Sequence, residues 1–248
     1  MLRLNKISFS FTPSKPILDN ASLLLEKGTI YALMGANGAG KSTLFNIITG
    51  FIKPVSGTII YDAINITNTK PYKRNLIGIG RTFQDLRLIT TLSVKENIKL
   101  AFKNKLADKW YNTILPSKKL LQQEKDIEVA TNKILNLFNL SEVQNNLASE
   151  ISYGQQKFLT IACCVANDAN FLLLDEPVAG INPVYREQLA TILKGLQQEG
   201  KTILLIEHNT DFINEVADSI FFLNNGSITQ YPNLEVLKND KNVLNAYM

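Results

Sequence analysis

Residues 35–43 read GANGAGKST, glycines followed by a lysine and two hydroxyls at the spacing G-x-x-x-x-G-K-[ST]. Backbone made pliable by Gly35, Gly38 and Gly40, with Ala36, Asn37 and Ala39 between them, can wrap a polyphosphate so that successive N–H groups point inward. Lys41 brings a positive charge to the β- and γ-phosphates, Ser42 offers a hydroxyl to Mg²⁺, and Thr43 continues the turn into a helix. A second group lies far along the chain. In FLLLDE, Asp175 stands where a buried strand ends and can hold Mg²⁺ directly or through water, while Glu176 can polarise a water for in-line attack on a γ-phosphate. His208 is the only histidine and follows TILLIE. A lone histidine is usually structural, but at the same sheet edge as these groups it is expected to contact the γ-phosphate. Gln84 ends IGIGRTF, where an amide can touch Mg²⁺ or the attacking water. One stretch remains unexplained by this chemistry. ISYGQQK, 151–157, reads as a helix opening capped by Ser152 or Gly154, a second helix start with outward N–H groups.

The elements that position these groups follow from periodicity. Residues 1–84 are strand-rich: LRLNKISFSF alternates, and ASLLLE, TIYALM, GTIIYD and IGIGRTF are separated by Gly and Pro turns. The helix KSTLFNIIT interrupts them and stops at Gly50. Residues 85–165 read mainly as helix, with ENIKLAF, DIEVATNKILNLF and SEVQNNLA spaced at three and four and LPSKKL as a loop. From 166 to 248, apolar strands alternate with helices: FLLLD, PVYREQLATILKGLQQEG, TILLIE, TDFINEVA and SIFFL. Such alternation implies a parallel sheet covered on both faces, so the fold class is α/β with a helical block inserted between its halves.

Composition narrows the function. The chain has 248 residues, enough to bury one sizeable core or a core with a satellite subdomain, and its 45% hydrophobic and 19% charged residues are ordinary for a globular protein. The alternating start is no signal peptide, and no apolar window is long enough to span a bilayer, so the chain is expected to be soluble, with any membrane role exercised through partners. Cys163 and Cys164 are adjacent and are expected to be buried small hydrophobes rather than a disulfide or metal site. The net charge is +4, but the lysines between Lys95 and Lys125 are interleaved with acids and amides and lack aromatic platforms. A solvated helical face explains them, and no nucleic-acid partner is expected.

Together these motifs resemble the ATP-binding cassette family over nearly the whole chain. The resemblance implies a P-loop NTPase core with an N-terminal antiparallel β part and an inserted helical subdomain, using ATP and Mg²⁺. It places ISYGQ at the family's signature motif, usually LSGGQ, so that Ser152, Gly154 and Gln155 cap the γ-phosphate held by the other subunit of a head-to-tail dimer. Phe11 matches the aromatic residue that stacks on adenine, and residues 179–183 match a segment where two subunits meet. Tyr153 departs from the common signature, yet the ATPase subunits of branched-chain amino-acid importers look similar there. RTFQDLRL at 81–88, DEPVAGINP at 175–183, LIEHNTDF at 205–212, the ending NDKNVLNAYM and a long helical insertion between Phe102 and Asn145 resemble the same group. The resemblance therefore implies the ATPase subunit of an importer for branched-chain or related amino acids. It would sit on the inner face of the cell membrane with separate transmembrane permease subunits and a solute-binding protein. An importer of urea or amides, a lipopolysaccharide-type exporter, and cassettes with no membrane partner are the alternatives.

Overall fold

The computed structural model describes residues 1–12, 15–103, 118–241 and 243–244. Strand β1 (Leu2–Thr12) pairs antiparallel with β2 (Lys15–Leu25) on one edge and β4 (Ser56–Tyr61) on the other, and β4 pairs with the short β5 (Ile64–Asn65). Alternation drives this sheet: Leu2 and Leu4 are buried while Arg3 is exposed. The next buried residue is Ile7 rather than residue 6, because the register shifts there and Lys6 adopts φ 46°.

The second sheet has the order β10-β9-β3-β8-β7-β6. Strands β3 (Ile30–Met34), β6 (Ile79–Arg81), β7 (Phe171–Asp175), β8 (Thr202–Ile206) and β9 (Ser219–Asn224) run parallel, and β10 (Ser227–Tyr231) closes the edge antiparallel to β9. Strands β3 and β8 are buried at every position, which is why they read as continuous apolar runs. Successive residues feed opposite faces. Ile203 and Leu205 join a core cluster with helices α3 (Val94–Ala101), α4 (Lys118–Leu137), α5 (Tyr153–Ala166), α6 (Pro183–Gln198) and α7 (Thr210–Val216). Leu204 and Ile206 join the cluster that holds the antiparallel sheet and helix α1 (Lys41–Thr49). All five parallel strands end at one edge, so the loops that follow them converge there.

Three local expectations are corrected. SEVQNNLA, 141–148, is a run of turns rather than a helix. Its backbone is used elsewhere: the carbonyls of Asn146 and Gln144 accept from Val94 and Lys95 N–H at the start of α3, and Ala148 N–H donates to Leu92. IGIGRTF contributes only Ile79–Arg81 to the sheet. In LPSKKL, Lys118–Leu120 are helical, and the preceding three residues lie outside the described set, as does part of the insertion and of the C-terminal ending. Helices α2 (Pro71–Leu76) and α8 (Leu234–Lys238) carried no strong periodicity because they are so short. Lys95 and Lys99 both pair with Glu128, as a solvated helical face would. The two cysteines are free, and burial pushes both thiols up to about 12, which keeps them unreactive.

Candidate active site

The turn after β3 carries the chain from Gly35 into α1. Gly35 adopts φ 150°, and a Cβ there would lie 2.4 Å from the Leu223 carbonyl oxygen, so no larger residue fits. Ala39 N–H donates to the Ala36 carbonyl at 3.1 Å, and Lys41 Nζ donates to the carbonyls of Gly35 (2.7 Å) and Ala36 (3.0 Å). The ammonium is thus clamped inside its own loop. Burial lowers its pKa, while the Glu176 and then the Asp175 carboxylates work to raise it. A desolvated cation held by its own loop, beside the N–H groups of a helix start, is a strong partner for a polyphosphate.

Asp175 ends β7 and accepts from Arg81 Nη2 at 3.3 Å, an ion pair in which both side chains are buried. Burial raises the Asp175 pKa and the Arg81 guanidinium opposes that rise. Arg81 also donates to Asn46 Oδ1 of α1 at 2.6 Å, which ties strand β6 to the helix of the phosphate loop. Glu176 has φ 48°, a left-handed conformation that costs a non-glycine residue roughly 1–2 kcal/mol. Three contacts hold it there. Its N–H donates to Ile206 O (3.0 Å), and its carbonyl accepts from Lys157 Nζ (2.6 Å) and Ala179 N–H (3.3 Å). This bend turns the carboxylate toward Gln84, whose Nε2 donates to Oε2 at 3.3 Å, and to within 3.8 Å of His208 Nε2.

A cleft of about 260 Å³ gathers most of the expected groups. Phe11, Asn37, Gly38, Gly40, Lys41, Ser42, Thr43, Gln84, Asp175, Glu176 and His208 all line it. Phe11 stands at its rim, 69% exposed, with its edge against the Phe9 ring at 4.9 Å. Gly35, Ala36 and Ala39 shape the loop without lining the cleft.

Ser152, Gly154 and Gln155 lie outside that cleft. Ser152 is the cap of α5: its Oγ accepts from Gln155 N–H at 3.3 Å, and Gln155 Oε1 accepts from Ser152 N–H at 2.9 Å. Gly154 is needed for a different reason. It is buried, and a Cβ there would lie 2.9 Å from the Tyr185 ring of α6. Tyr153 is exposed and borders Gly180, whose Cβ would lie 3.2 Å from the tyrosine ring, so the helix start and the 179–183 segment touch within one chain.

Sequence reasoning passed over three charged residues at this site. Arg81 sat inside a strand pattern, Lys157 stands just before the run FLTIACC, and Glu207 just after TILLI. Glu207 is 3% exposed, and its carboxylate accepts from the N–H groups of Val178 (2.9 Å), His208 (3.0 Å) and Asn209 (3.3 Å). A charged residue at the very edge of an apolar run was the available signal.

The donor set suits Mg²⁺. That ion takes one or two carboxylates and completes its shell with phosphate and water. Ser42, Gln84 and Asp175 supply a hydroxyl, an amide and one carboxylate to the same cleft. No cluster of three or more His, Cys, Asp or Glu residues placed to hold a metal occurs among the described residues.

Comparison with known proteins agrees with this geometry. The family model described as ABC transporter matches residues 18–179. The high-affinity branched-chain amino acid transport ATP-binding protein LivG of Salmonella typhimurium is 35% identical over 234 residues, 93% of this chain and 91% of that protein. A nucleotide-free ATP-binding cassette from an ABC transporter superposes with a TM-score of 0.84 at 30% identity, covering 100% of this chain and 98% of the other. The dimeric cassette MJ0796 gives 0.76 at 25% identity, covering 94% and 98%. Among the described residues no helix is long and apolar enough to cross a membrane. A phosphate loop and an acidic strand end facing one cleft, on a chain matched along most of its length, place this protein in the ABC transporter ATPase family.

Proposed function

We propose that this chain hydrolyses ATP in the cleft between the phosphate loop and Glu176 and drives import of branched-chain or related amino acids. Phe11 stacks on adenine, the N–H groups of residues 35–43 and Lys41 hold the phosphates, and Ser42, Gln84 and Asp175 hold Mg²⁺. Bound there, Mg²⁺ neutralises charge on the β- and γ-phosphates. Glu176 accepts the proton of a water oriented with Gln84, and that water's oxygen bonds to the γ-phosphorus in line. The β–γ bridging oxygen leaves on ADP, while His208 steadies the γ-phosphate. The membrane-spanning subunits and a solute-binding protein are separate chains, and this subunit docks on the cytoplasmic face of the membrane. The names of the relatives at 35% identity support the class of solute.

One observation carries the shared-site mechanism. The helix start at Ser152 is exposed and lies outside the chain's own cleft, which leaves it available to the nucleotide of a second cassette, identical or paralogous. Two inactive proteins test it. One carries Lys41→Ala; the other carries Ser152→Asp, which keeps an N-cap while setting a like charge against a γ-phosphate. An aspartate at 154 would be a poorer probe, because any Cβ there meets Tyr185. Mixing the two should restore hydrolysis through one composite site that is intact. No recovery, with subunit exchange confirmed by a label, overturns the shared site. Uptake into vesicles holding the cognate membrane subunits, with leucine, isoleucine and valine against urea and acetamide, tests the solute.

A further inference from the structure

Lys157 lies one turn inside α5, between the capped turn that precedes it and the run FLTIACC that follows it, and is 8% exposed. A core that needed only filling would be served better by methionine or leucine, because burying an ammonium costs far more than burying a thioether. Its ammonium donates to the Glu176 carbonyl at 2.6 Å and also lies over the Tyr153 ring, 5.4 Å from its centre. Burial lowers its pKa, and the carboxylates that oppose this are, in order, those of Glu207, Glu176 and Asp175. Glu207 in turn binds the N–H of Val178 at 2.9 Å and that of His208 at 3.0 Å. The 176–178 turn is therefore gripped at its first carbonyl by Lys157 and at its third N–H by Glu207. Glu176 sits in a left-handed conformation that persists only where its surroundings over-determine it.

We propose that Lys157 is a positioning residue: its bond to the Glu176 carbonyl aims the Glu176 carboxylate at Gln84 and the attacking water. The same bond ties the helix that begins at Ser152 to the catalytic turn of the chain's own cleft. A displacement of that helix by a partner's nucleotide would then pull on the carboxylate that serves this chain's ATP, so the two composite sites of a dimer are wired together within each subunit. This role rests on Glu176 being the base, and the experiment separates the two.

Lys157→Met, Lys157→Arg, Glu176→Gln and the double variant Glu176→Gln/Lys157→Met are made in the full chain and compared in one set of conditions. ATP turnover, ATP and ADP affinity and melting temperature are measured for each. Lys157→Met should lower kcat by about 10–100-fold, the cost of a small misplacement, while KM and ADP affinity stay within about twofold. Lys157→Arg keeps a charged donor and should recover most of the lost kcat. The double variant should be no slower than Glu176→Gln alone, since both changes act on one group. Glu176→Gln at the parent rate would refute the base itself. With Glu176→Gln inactive, a Lys157→Met protein at the parent kcat overturns the positioning role. So does one that loses melting temperature and nucleotide affinity at unchanged kcat, or a double variant in which the two losses multiply.

Discussion

Replacing Arg74 by methionine keeps most of the side-chain volume and removes a buried guanidinium that makes four hydrogen bonds. Arg74 is 1% exposed, and it donates from Nη1 to the carbonyls of Ile47 and Ile48 (2.7 Å each), from Nε to Thr69 O (2.9 Å) and from Nη2 to Thr67 O (3.0 Å). Two of those carbonyls are in the last turn of α1, where the helix leaves them without an internal partner. Ile47 O also accepts from Gly50 N–H at 3.2 Å, so it keeps one bond in the variant. Four bonds from a charged donor gross to roughly 6–12 kcal/mol. Against this stands the cost of burying the charge. Burial pushes the guanidinium down to about 10, which corresponds to roughly 3 kcal/mol. Water entering the variant would satisfy some orphaned carbonyls, so the lower end applies, about 3–5 kcal/mol. For a chain of this size each kcal/mol moves the melting temperature by about 2–4 °C, giving a drop of roughly 6–20 °C. Calorimetry or a urea titration measures it. Arg74→Lys should fall between, since one ammonium cannot reach all four carbonyls. An Arg74→Met protein that melts within about 2 °C of the parent would mean that the guanidinium bonds are offset entirely by desolvation.

Lys41→Ala should weaken ATP far more than adenosine, and a nucleotide titration in which both weaken equally would remove Lys41 from the phosphates. Phe11→Ala should cost about 1–3 kcal/mol of ATP binding, as base–aromatic stacking does, with melting temperature unchanged because the ring is exposed. Unchanged ATP affinity would discard Phe11 as the adenine platform. Gly154→Ala should destabilise by about 1–3 kcal/mol through overpacking, since the added Cβ meets Tyr185 at 2.9 Å, and Tyr185→Leu in the same chain should recover part of that loss in urea melts. The Lys95 and Lys99 ammonium groups hold the Glu128 carboxyl down at about 2, below its ordinary 4.5. The depressed value means the stabilisation is present above about 4.5 and is lost as pH falls toward 2. The carboxylate is 37% exposed, so Glu128→Gln should cost only about 0.5–1 kcal/mol at neutral pH, and a penalty that persists undiminished in acid would refute the pairing.

Much of this protein follows from short-range rules. The phosphate loop was legible because its N–H groups come from consecutive residues of one turn, and spacing alone aims them. The strands β3, β7 and β8 were legible because burial on both faces demands unbroken apolar runs. That Asp175, Glu176 and His208 would face the loop followed from their positions after parallel strands, whose carboxyl ends share one edge. The turn at 141–148 was misread as helix because its apolar spacing fits a helix, and only the unpaired N–H groups of α3, about fifty residues earlier in the chain, claim its carbonyls. Ser152 and Gly154 were equal candidates for the cap until the fold brought Tyr185 against the glycine. For Arg74, Lys157 and Glu207 the sequence does not name the partner that each charge meets. Their partners, the end of α1, the Glu176 carbonyl and the Val178 N–H, lie 19 to 29 positions away. The identity of the residues that can touch phosphate was set by local backbone chemistry. Which charges hold those residues in place was decided by the tertiary fold, because a buried ion is stable only against partners that folding itself delivers.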